Sequence, residues 1–493
     1  MLYFRMFLIM AVGLYTSRII LQALGIEDFG IYNVVGGIVV LFTFVNNAMV
    51  ASTQRFLNYE IGRNNQEEAQ KIFSASLSIH IAIAFIFLIL AETIGLWFLN
   101  SYIKIPNGRE IAANWVYQFT IVASVINIIR TPYNAAIIAY ERMSFYAYIS
   151  IIEVILKLLI VYLIYLFDDR LIFYSLLVMV VALIIFGGYY LFCRKNFPMF
   201  RYQFEYNRQR YFSIISFSGW SLMGSSANMG AQQGFSILLN LFFGVSTNAA
   251  LGIANQVNSV IYNFISNFQT AFNPQIVKTF AAHKREDFFN LIYNTSRYSF
   301  FLLFALALPI TICCSDLLHI WLTEVPEYAI DFCIAMIANS LFDALSGPLW
   351  MSVYASGNIR KYQIVISCLL FSTLALAYIV AKLGYNPVMV FWVKPLIGFV
   401  IYFYRLHYCH RNLHLSFQRY LKSVVVRCLI IVFVSGVPSY IICTFMGDGI
   451  GYLLIKMIAV LFIILLCIFF IGLTTNEKKI ISKYLKNKRE QWF

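Results

Sequence analysis

Charged residues are scarce in this sequence. Only 12% of its 493 residues are aspartate, glutamate, lysine or arginine, whereas 61% are hydrophobic and 17% are aromatic. A soluble domain is about half apolar and about a quarter charged. A soluble globule of this composition would expose a large apolar surface to water, so the scarcity of charge excludes that class. The aromatic share suits lipid-facing surfaces and the interfacial belts of membrane proteins.

Signals for disulfides, metals and nucleotide chemistry are missing as well. The nine cysteines include no C-x-x-C pair and lie mostly in apolar runs, which argues against a disulfide framework or a zinc site. No glycine-rich nucleotide loop appears. His407, His410 and His414 lie in a basic segment without a carboxylate, so we expect no metal centre there. We therefore expect neither a cofactor nor an enzyme.

Long apolar runs dominate the chain instead. A helix that crosses a bilayer needs about 20 mostly apolar residues, and short polar breaks separate fourteen such runs here. The sequence therefore predicts an all-α polytopic membrane protein with about 14 transmembrane helices. The predicted spans are 3–23, 29–51, 72–99, 112–137, 146–167, 171–193, 212–241, 246–272, 291–315, 328–355, 361–381, 386–407, 422–446 and 450–473.

The distribution of basic residues predicts the orientation of the chain. With the amino terminus inside, 25 of the 36 lysines and arginines fall in cytoplasmic segments and only four in the opposite loops. This is a strong positive-inside asymmetry, and it places both termini in the cytoplasm. The formal net charge of +14 thus follows topology and contact with anionic lipid, and we expect no nucleic-acid partner.

The chain also repeats itself. Six predicted helices separate the two copies, and an even number gives both halves the same orientation, related by an axis along the membrane normal. Three positions recur at a constant offset of 216 residues, namely Pro132, Ala139 and Tyr146 with Pro348, Ala355 and Tyr362. The predicted divisions are two pseudo-symmetric six-helix bundles at 1–193 and 212–408, a cytoplasmic interfacial linker at 194–211, and two extra helices with a basic cytoplasmic tail at 409–493.

Two segments near the amino terminus resemble one family. Residues 15–33 read Tyr-Thr-Ser-Arg-Ile-Ile-Leu-Gln-Ala-Leu-Gly-Ile-Glu-Asp-Phe-Gly-Ile-Tyr-Asn, and residues 53–62 read Thr-Gln-Arg-Phe-Leu-Asn-Tyr-Glu-Ile-Gly. Both are similar to the opening of bacterial polysaccharide-biosynthesis flippases. These are the O-antigen and capsule repeat-unit translocases of the multidrug/oligosaccharidyl-lipid/polysaccharide (MOP) superfamily, which has a MATE-like fold.

The resemblance implies a function, a location and a set of partners. Two helix bundles would surround a central cavity and carry an undecaprenyl-pyrophosphate-linked oligosaccharide from the cytoplasmic to the periplasmic leaflet by alternating access. A Na⁺ or H⁺ gradient is the candidate driving force, and the membrane would be the bacterial inner membrane. The implied partners are the lipid-linked oligosaccharide, membrane lipids, and the polysaccharide polymerase and chain-length machinery.

Charged residues inside the predicted spans form the candidate site. A charge at mid-bilayer costs about 2.5–3.5 kcal/mol on insertion scales, so each one needs a partner, a wet cavity or a route to the interface. Basic groups outnumber acidic ones here, which suits an anion such as pyrophosphate, because arginine binds phosphate oxygens bidentately. The predicted substrate-binding residues are Arg18, Arg130, Lys157, Arg297 and Lys394, and the predicted ion-coupling or charge-tuning residues are Glu153 and Asp343.

Simpler explanations compete for several of these residues. Glu153 and Lys157 are four residues apart, in the order that favours an intrahelical ion pair, which would merely lower the cost of insertion. Arg130 and Arg297 lie about 10 Å from the cytoplasmic ends of their spans, within snorkelling reach. Lys394 has no obvious local partner, which favours a polar cavity.

Two other functions stay open. A multidrug/cation antiporter would share the fold, although the resemblance implies that such a protein would place a carboxylate in the first span, where this chain has Arg18. A membrane-embedded polysaccharide polymerase would be expected to carry a long periplasmic loop with catalytic residues, and no predicted outer loop is that long. The repeat-unit flippase is therefore the leading hypothesis.

Overall fold

The computed structural model describes residues 2–40, 43–103, 105–106, 108–197, 201–203, 205–322, 324–447, 449–475 and 477–479. Within these ranges, the side chains at 2–4, 6–7, 10–11, 14, 17–18, 21, 26, 34, 36–40, 43–48 and 102 lie outside the described part. The described residues form helices and connecting turns, and no strand occurs among them. The predicted all-α class is confirmed.

Seventeen α-helices are present in the described part of the chain. They are α1 (Leu2–Val40), α2 (Thr43–Gly62), α3 (Gln66–Leu90), α4 (Leu96–Tyr102), α5 (Glu110–Ala139), α6 (Met143–Leu163), α7 (Arg170–Asn196), α8 (Arg208–Phe243), α9 (Val245–Ala281), α10 (Arg285–Ile312), α11 (Cys314–Trp321), α12 (Ala329–Ser356), α13 (Arg360–Lys382), α14 (Pro387–Leu413), α15 (Phe417–Tyr420), α16 (Val426–Thr444) and α17 (Ile450–Cys467). Short π-helical segments join α3 to α4 and α15 to α16, and another follows α17.

The chain forms two compact units. Unit 1 comprises Met1–Ser226 and Val277–His283, and unit 2 comprises Ala227–Ile276 and Lys284–Phe493. Helices α8 and α9 each contribute residues to both units. The bundle boundaries at 193 and 212 stay predictions.

Ten helical segments in the described residues are long and apolar enough to cross a membrane. Each overlaps one predicted span, which confirms a multi-pass membrane protein. The predicted count of fourteen and the two six-helix bundles stay predictions, because the helices that cover the other four predicted spans are not among the ten. Those helices are α1, α2, α8 and α9.

Helices α8 and α9 are rich in serine, asparagine and glutamine, which lowers their apolarity. Some of these polar side chains form hydrogen bonds with one another or with α12 inside unit 2. Ser236 Oγ donates to Asn248 Oδ1 at 3.0 Å, and Ser340 Oγ of α12 donates to Asn258 Oδ1 at 2.6 Å. Interhelical hydrogen bonds of this kind satisfy polar groups where water is absent.

Helix boundaries follow from local sequence chemistry. Gly25 has φ 79° inside α1, a conformation that only glycine adopts readily, so the helix is kinked there. Asn65, Asp169 and Asn386 each accept a hydrogen bond from a backbone N–H in the first turn of α3, α7 and α14 respectively. These side chains fix where three of the spanning helices begin.

Each unit has its own aromatic core. In unit 1, the rings of Phe73 and Tyr133 meet edge to face at 5.3 Å, between α3 and α5. In unit 2, Phe332 and Phe391 stack at 4.1 Å, between α12 and α14. Many large apolar side chains point outward instead, such as Phe462 of α17, which is 61% exposed. Such surfaces are expected to face lipid.

The internal repeat extends to a contact within each unit. Cys193 Sγ of α7 donates to the carbonyl of Tyr133 in α5 at 3.8 Å. Cys409 Sγ of α14 donates to the carbonyl of Leu349 in α12 at 3.6 Å. Cys409 follows Cys193 by 216 residues, and Leu349 follows Tyr133 by the same number. This is the offset that relates Pro348 to Pro132. The repeat in sequence is therefore also a repeat in helix packing.

Candidate functional site

Unit 1 places two basic groups around one carboxylate. Lys157 Nζ donates to Glu153 Oε1 at 2.7 Å on α6, and Arg130 NH1 of α5 lies 3.6 Å from Glu153 Oε2. The Arg130 guanidinium carbon also lies 5.4 Å from the centroid of the Tyr189 ring on α7. With all three groups ionised, the cluster has one positive charge in excess.

The intrahelical pair expected from the spacing of Glu153 and Lys157 is therefore present. A second basic group shares the same carboxylate, so Glu153 cannot neutralise both. The Lys157 side chain is 50% exposed, so its ammonium is not enclosed within unit 1. The roles of these three residues in binding stay predictions.

Unit 2 has a second cluster of the same charge type. Asp343 lies near the middle of α12, and Arg405 NH1 of α14 lies 3.9 Å from its Oδ1. Asn339 Nδ2, one turn earlier on α12, donates to Asp343 Oδ2 at 3.2 Å. The charge of Lys394 on α14 also acts on Asp343. Asp343 thus pairs with Arg405, which was not among the predicted site residues, and Lys394 acts on Asp343 through its charge.

Lys394 has an unusual environment for an ammonium group. Among the described residues, the hydrogen-bond acceptor for its Nζ is the Met336 thioether, at 3.2 Å. The ring of Phe391 lies on another side, with its centroid 6.0 Å away. An ammonium has three donors and a thioether is a weak acceptor, so the hydrogen-bonding capacity of Lys394 is only partly used.

Gly398 lets α12 and α14 approach closely at this cluster. It is one turn after Lys394 on α14. A Cβ atom at this position would lie 2.3 Å from Asn339 Oδ1, well inside van der Waals contact. Glycine therefore makes room for the amide that holds Asp343.

Arg297 has different partners. Its side chain is 2% exposed and forms an ion pair with Glu477, which follows α17. The Tyr298 hydroxyl donates to the same carboxylate oxygen of Glu477, and Asn294 Oδ1 accepts from Arg297 NH2 at 3.3 Å. The contacts of Arg297 among the described residues thus do not include Lys394 or Asp343.

The carboxylate of Glu477 lies beyond the last spanning segment. Its Oε2 also accepts from the backbone N–H of Thr474 at 2.6 Å. Burial alone would raise the pKa of Glu477, but hydrogen bonds from Tyr298 and Thr474 and the charge of Arg297 outweigh it, so the pKa lies below its ordinary value. This carboxylate is held ionised.

The other charged candidates lie elsewhere. Arg18 belongs to α1, and its side chain lies outside the described residues. Lys456 of α17 is buried and its Nζ lies 3.4 Å from Asp316 Oδ2 of α11.

The histidine-rich segment after the twelfth predicted span shows no metal-binding arrangement. His410 Nδ1 lies 2.7 Å from the carbonyl of Leu415, and the Cys409 thiol lies against α12. In the part of the chain that the structure describes, no group of three histidine, cysteine, aspartate or glutamate residues is placed to hold a metal ion.

Sequence reasoning missed two residues of these clusters. Arg405 lies two residues before the predicted end of its span at 407, which places it at the cytoplasmic edge of that span, whereas α14 continues to Leu413. Its spacing of eleven residues from Lys394, three helical turns, was the available signal. Glu477 was also missed, although Thr474-Thr-Asn-Glu477 has the spacing of a capping box.

The fold and the charged clusters define the general class, which is a helical membrane protein with charged groups inside its spanning helices. Within that class the fold is MATE-like. A crystal structure of MATE in the straight conformation matches with a TM-score of 0.69 at 14% sequence identity, over 85% of this chain and 96% of that chain. The Vibrio cholerae MATE transporter VcmN in the bent form matches with a TM-score of 0.67 at 14% identity, over 86% and 96%.

A third solved structure adds a different member of the superfamily. It is a MOP superfamily transporter from Pyrococcus furiosus, described as having a binding pocket of reverse polarity that suggests a different function. Its TM-score is 0.64 at 14% identity, over 85% of this chain and 95% of that chain. No model of a known protein family matches this sequence, and no curated protein sequence matches it either. At these identities the likeness establishes the fold, which confirms the MATE-like architecture expected from the sequence.

Proposed function

We propose that this chain is a membrane transporter, not an enzyme, that moves a pyrophosphate-linked oligosaccharide lipid from the cytoplasmic to the periplasmic leaflet of a bacterial inner membrane. It works by alternating access, in which rearrangement of the helices exposes the bound group to one side and then to the other. Both termini are cytoplasmic, in keeping with the positive-inside distribution of basic residues.

One observation carries this proposal. Each unit places basic groups near a carboxylate within its spanning helices: Arg130 and Lys157 lie against Glu153, and Arg405 lies 3.9 Å from Asp343, on which the charge of Lys394 also acts. A charge in a span is costly and marks a function by default. An excess of cations in both units favours an anionic group, and pyrophosphate offers charge and many acceptor oxygens to guanidinium and ammonium donors.

The carboxylates have a separate role in the proposal. Glu153 and Asp343 tune the charge of their clusters, and either one is a candidate site for coupling to a H⁺ or Na⁺ gradient. Protonation of Glu153 would release Lys157 and Arg130 to a ligand at the same time. The polysaccharide polymerase and chain-length machinery are the expected partners, since they consume the flipped repeat unit.

The test is deletion of the gene followed by complementation. The deletion strain should accumulate lipid-linked repeat units in the inner leaflet and lose surface glycan. Wild-type chain should restore the glycan, whereas Lys157→Gln and Lys394→Gln should restore much less at equal membrane abundance. The matched control is Lys195→Gln, because Lys195 is exposed at the end of α7. Unchanged surface glycan in the deletion strain would reject the flippase.

A multidrug/cation antiporter is the second candidate. The observation that favours it is the carboxylate in each cluster, together with the multidrug transporters among the solved structures of the same fold. Expression in a drug-susceptible strain should then lower the accumulation of cationic dyes, and Asp343→Asn should abolish that effect. Dye accumulation equal to that of the empty vector would exclude this function.

A further inference from the structure

Four of the nine cysteines lie at the predicted periplasmic ends of helices in unit 2. Cys313 and Cys314 stand at the junction of α10 and α11. Cys333 lies in the second turn of α12, and Cys443 lies in the last turn of α16. The remaining five lie in the predicted cytoplasmic halves of their helices, and they are Cys193, Cys368, Cys409, Cys428 and Cys467. The cysteines are thus divided by the compartment that each helix end faces.

The four cysteines on the predicted periplasmic side form two contacting pairs. The thiols of Cys314 and Cys333 are hydrogen-bonded to each other, and both residues belong to one apolar core cluster of unit 2. The thiols of Cys313 and Cys443 are also hydrogen-bonded to each other. All four side chains are buried. Every cysteine on this side therefore has another cysteine as a partner.

This division matches the chemistry of the two compartments. Cysteine pairs become disulfides in the oxidising periplasm of bacteria, whereas thiols in the cytoplasm are kept reduced. Thiols that already touch need only small side-chain rotations to reach disulfide geometry, in which the Cα atoms are about 4.4–6.8 Å apart. A contacting pair at a periplasmic helix end therefore has both the geometry and the compartment that a disulfide requires.

We propose that Cys314 with Cys333, and Cys313 with Cys443, form two disulfides at the periplasmic end of unit 2. The proposal rests on the proposed orientation of the chain, with both termini in the cytoplasm, and not on the transported substrate. Spacing alone did not indicate the pairs, because their members are 19 and 130 positions apart and belong to different helices. For these four cysteines, the proposal replaces the expectation of no disulfide framework.

Each disulfide forms by thiol–disulfide exchange with an oxidising protein that carries a disulfide of its own. One cysteine thiolate attacks a sulfur of that disulfide, which gives a mixed disulfide and releases one thiolate of the oxidant. The second cysteine thiolate then attacks its partner's sulfur, and the oxidant leaves as a dithiol with both electrons and both protons. The exchange takes place while the helix ends assemble, because the assembled pairs are buried. The same burial then protects the bonds from reductants.

The two bonds join the outer ends of four helices. One connects α11 to α12, and the other connects the junction of α10 and α11 to α16. Close by, Lys456 Nζ of α17 lies 3.4 Å from Asp316 Oδ2 of α11, so an ion pair holds α17 at the same junction. A rearrangement of helices in unit 2 should therefore leave this outer end in place.

The test is a count of protected thiols in the full chain, made directly from cells. Free thiols are blocked with N-ethylmaleimide in denaturing detergent at lysis, and cysteines released by reduction are then labelled with a maleimide of known mass. Wild type should show four protected cysteines among its nine, and none in a strain that lacks its periplasmic disulfide-forming oxidoreductase. Nine free thiols in wild type, or four protected cysteines in the strain without the oxidoreductase, would overturn the proposal.

Substitutions assign the partners. Cys333→Ala and Cys443→Ala should each lower the count of protected cysteines from four to two, and the double variant should have none. The matched control is Cys368→Ala, since Cys368 is exposed in the predicted cytoplasmic half of α13, and it should keep all four. Cys313→Ala combined with Cys333→Ala should also leave none, and two protected cysteines in that variant would overturn the assigned partners. The wild-type count needs no variant, so it decides the proposal even if a substituted chain fails to fold.

The outcome is separable from that of the flippase. Asp168→Cys places a thiol in an exposed bend on the predicted periplasmic side, where an impermeant maleimide should label it in spheroplasts. Labelling at this position with nine free native thiols would overturn the disulfides and keep the orientation, whereas absence of labelling would overturn both. Surface glycan is measured independently, so four protected cysteines without restored glycan in the complemented deletion strain would keep the disulfides and reject the flippase.

Discussion

Arg297 and Glu477 form an ion pair between α10 and the segment that follows α17. Thr474 and Glu477 also bond reciprocally, since Glu477 Oε2 accepts from the Thr474 N–H and the Glu477 N–H donates to Thr474 Oγ1 at 3.4 Å. This is a capping box, which starts a helical turn. One carboxylate therefore both begins the carboxy-terminal turn and neutralises a buried arginine.

Glu477→Gln should destabilise the protein strongly. The substitution keeps the size of the side chain and an acceptor for Thr474, but it leaves the Arg297 charge buried and uncompensated. Breaking one side of a buried ion pair costs about 3 kcal/mol or more. The measurement is the thermal unfolding midpoint in detergent. The control is Glu324→Gln, because Glu324 is exposed, and it should leave the midpoint unchanged; equal midpoints for the two variants would contradict the role of this pair.

The same pair predicts a pH dependence. The pKa of Glu477 is lower in the folded protein than the ordinary value of a glutamate, about 4.3. A carboxyl with a depressed folded pKa contributes stability that is complete above the unfolded pKa and is lost as pH falls through the folded pKa. The difference in unfolding midpoint between wild type and Glu477→Gln should therefore be constant from neutral pH to about pH 5 and should disappear in stronger acid. A difference that grows on acidification would contradict this assignment.

An ion pair holds the predicted linker to α3. Breaking that pair should make the linker more accessible to protease. Arg210 donates to Glu68 through Nε at 2.9 Å and through NH2 at 3.2 Å. Because Glu68 is partly exposed, this bidentate pair contributes about 1 kcal/mol. Glu68→Gln should therefore raise the rate of tryptic cleavage at Arg201 or Arg208 by about fivefold. Glu67→Gln, one residue away, should have little effect; equal cleavage rates would show that the pair does not restrain the linker.

The helices were predictable because the bilayer imposes a length and a composition on each one. Runs of apolar residues marked all the segments that the structure describes as helical spans. The ends were less predictable, since arginine and histidine side chains can lie along a helix near the interface without ending it. That is why α14 extends to Leu413 rather than stopping at 407.

The candidate site was predictable only where partners are close in sequence. Glu153 and Lys157 are one helical turn apart, so their ion pair could be expected from spacing alone. Asp343 and Arg405 belong to different helices, and their contact depends on how α12 packs against α14. Arg297 and Glu477 are farther apart still, with a separation of 180 positions in sequence. Packing, and not composition, decides such pairs.

Gly398→Ala should disturb the unit 2 cluster without changing any of its charges. The added Cβ would lie 2.3 Å from Asn339 Oδ1, so either α14 or the amide that supports Asp343 must move, at a cost of about 1–3 kcal/mol. We expect a lower unfolding midpoint and a loss of glycan export in the complementation assay. The control is Gly436→Ala in α16, where no atom lies within 4 Å of the new Cβ and the better helix propensity of alanine contributes up to about 1 kcal/mol. Because both substitutions add one methyl group to a spanning helix, a loss of export in Gly398→Ala but not in Gly436→Ala would locate the effect at the contact between α12 and α14, and equal export would remove that contact from the mechanism.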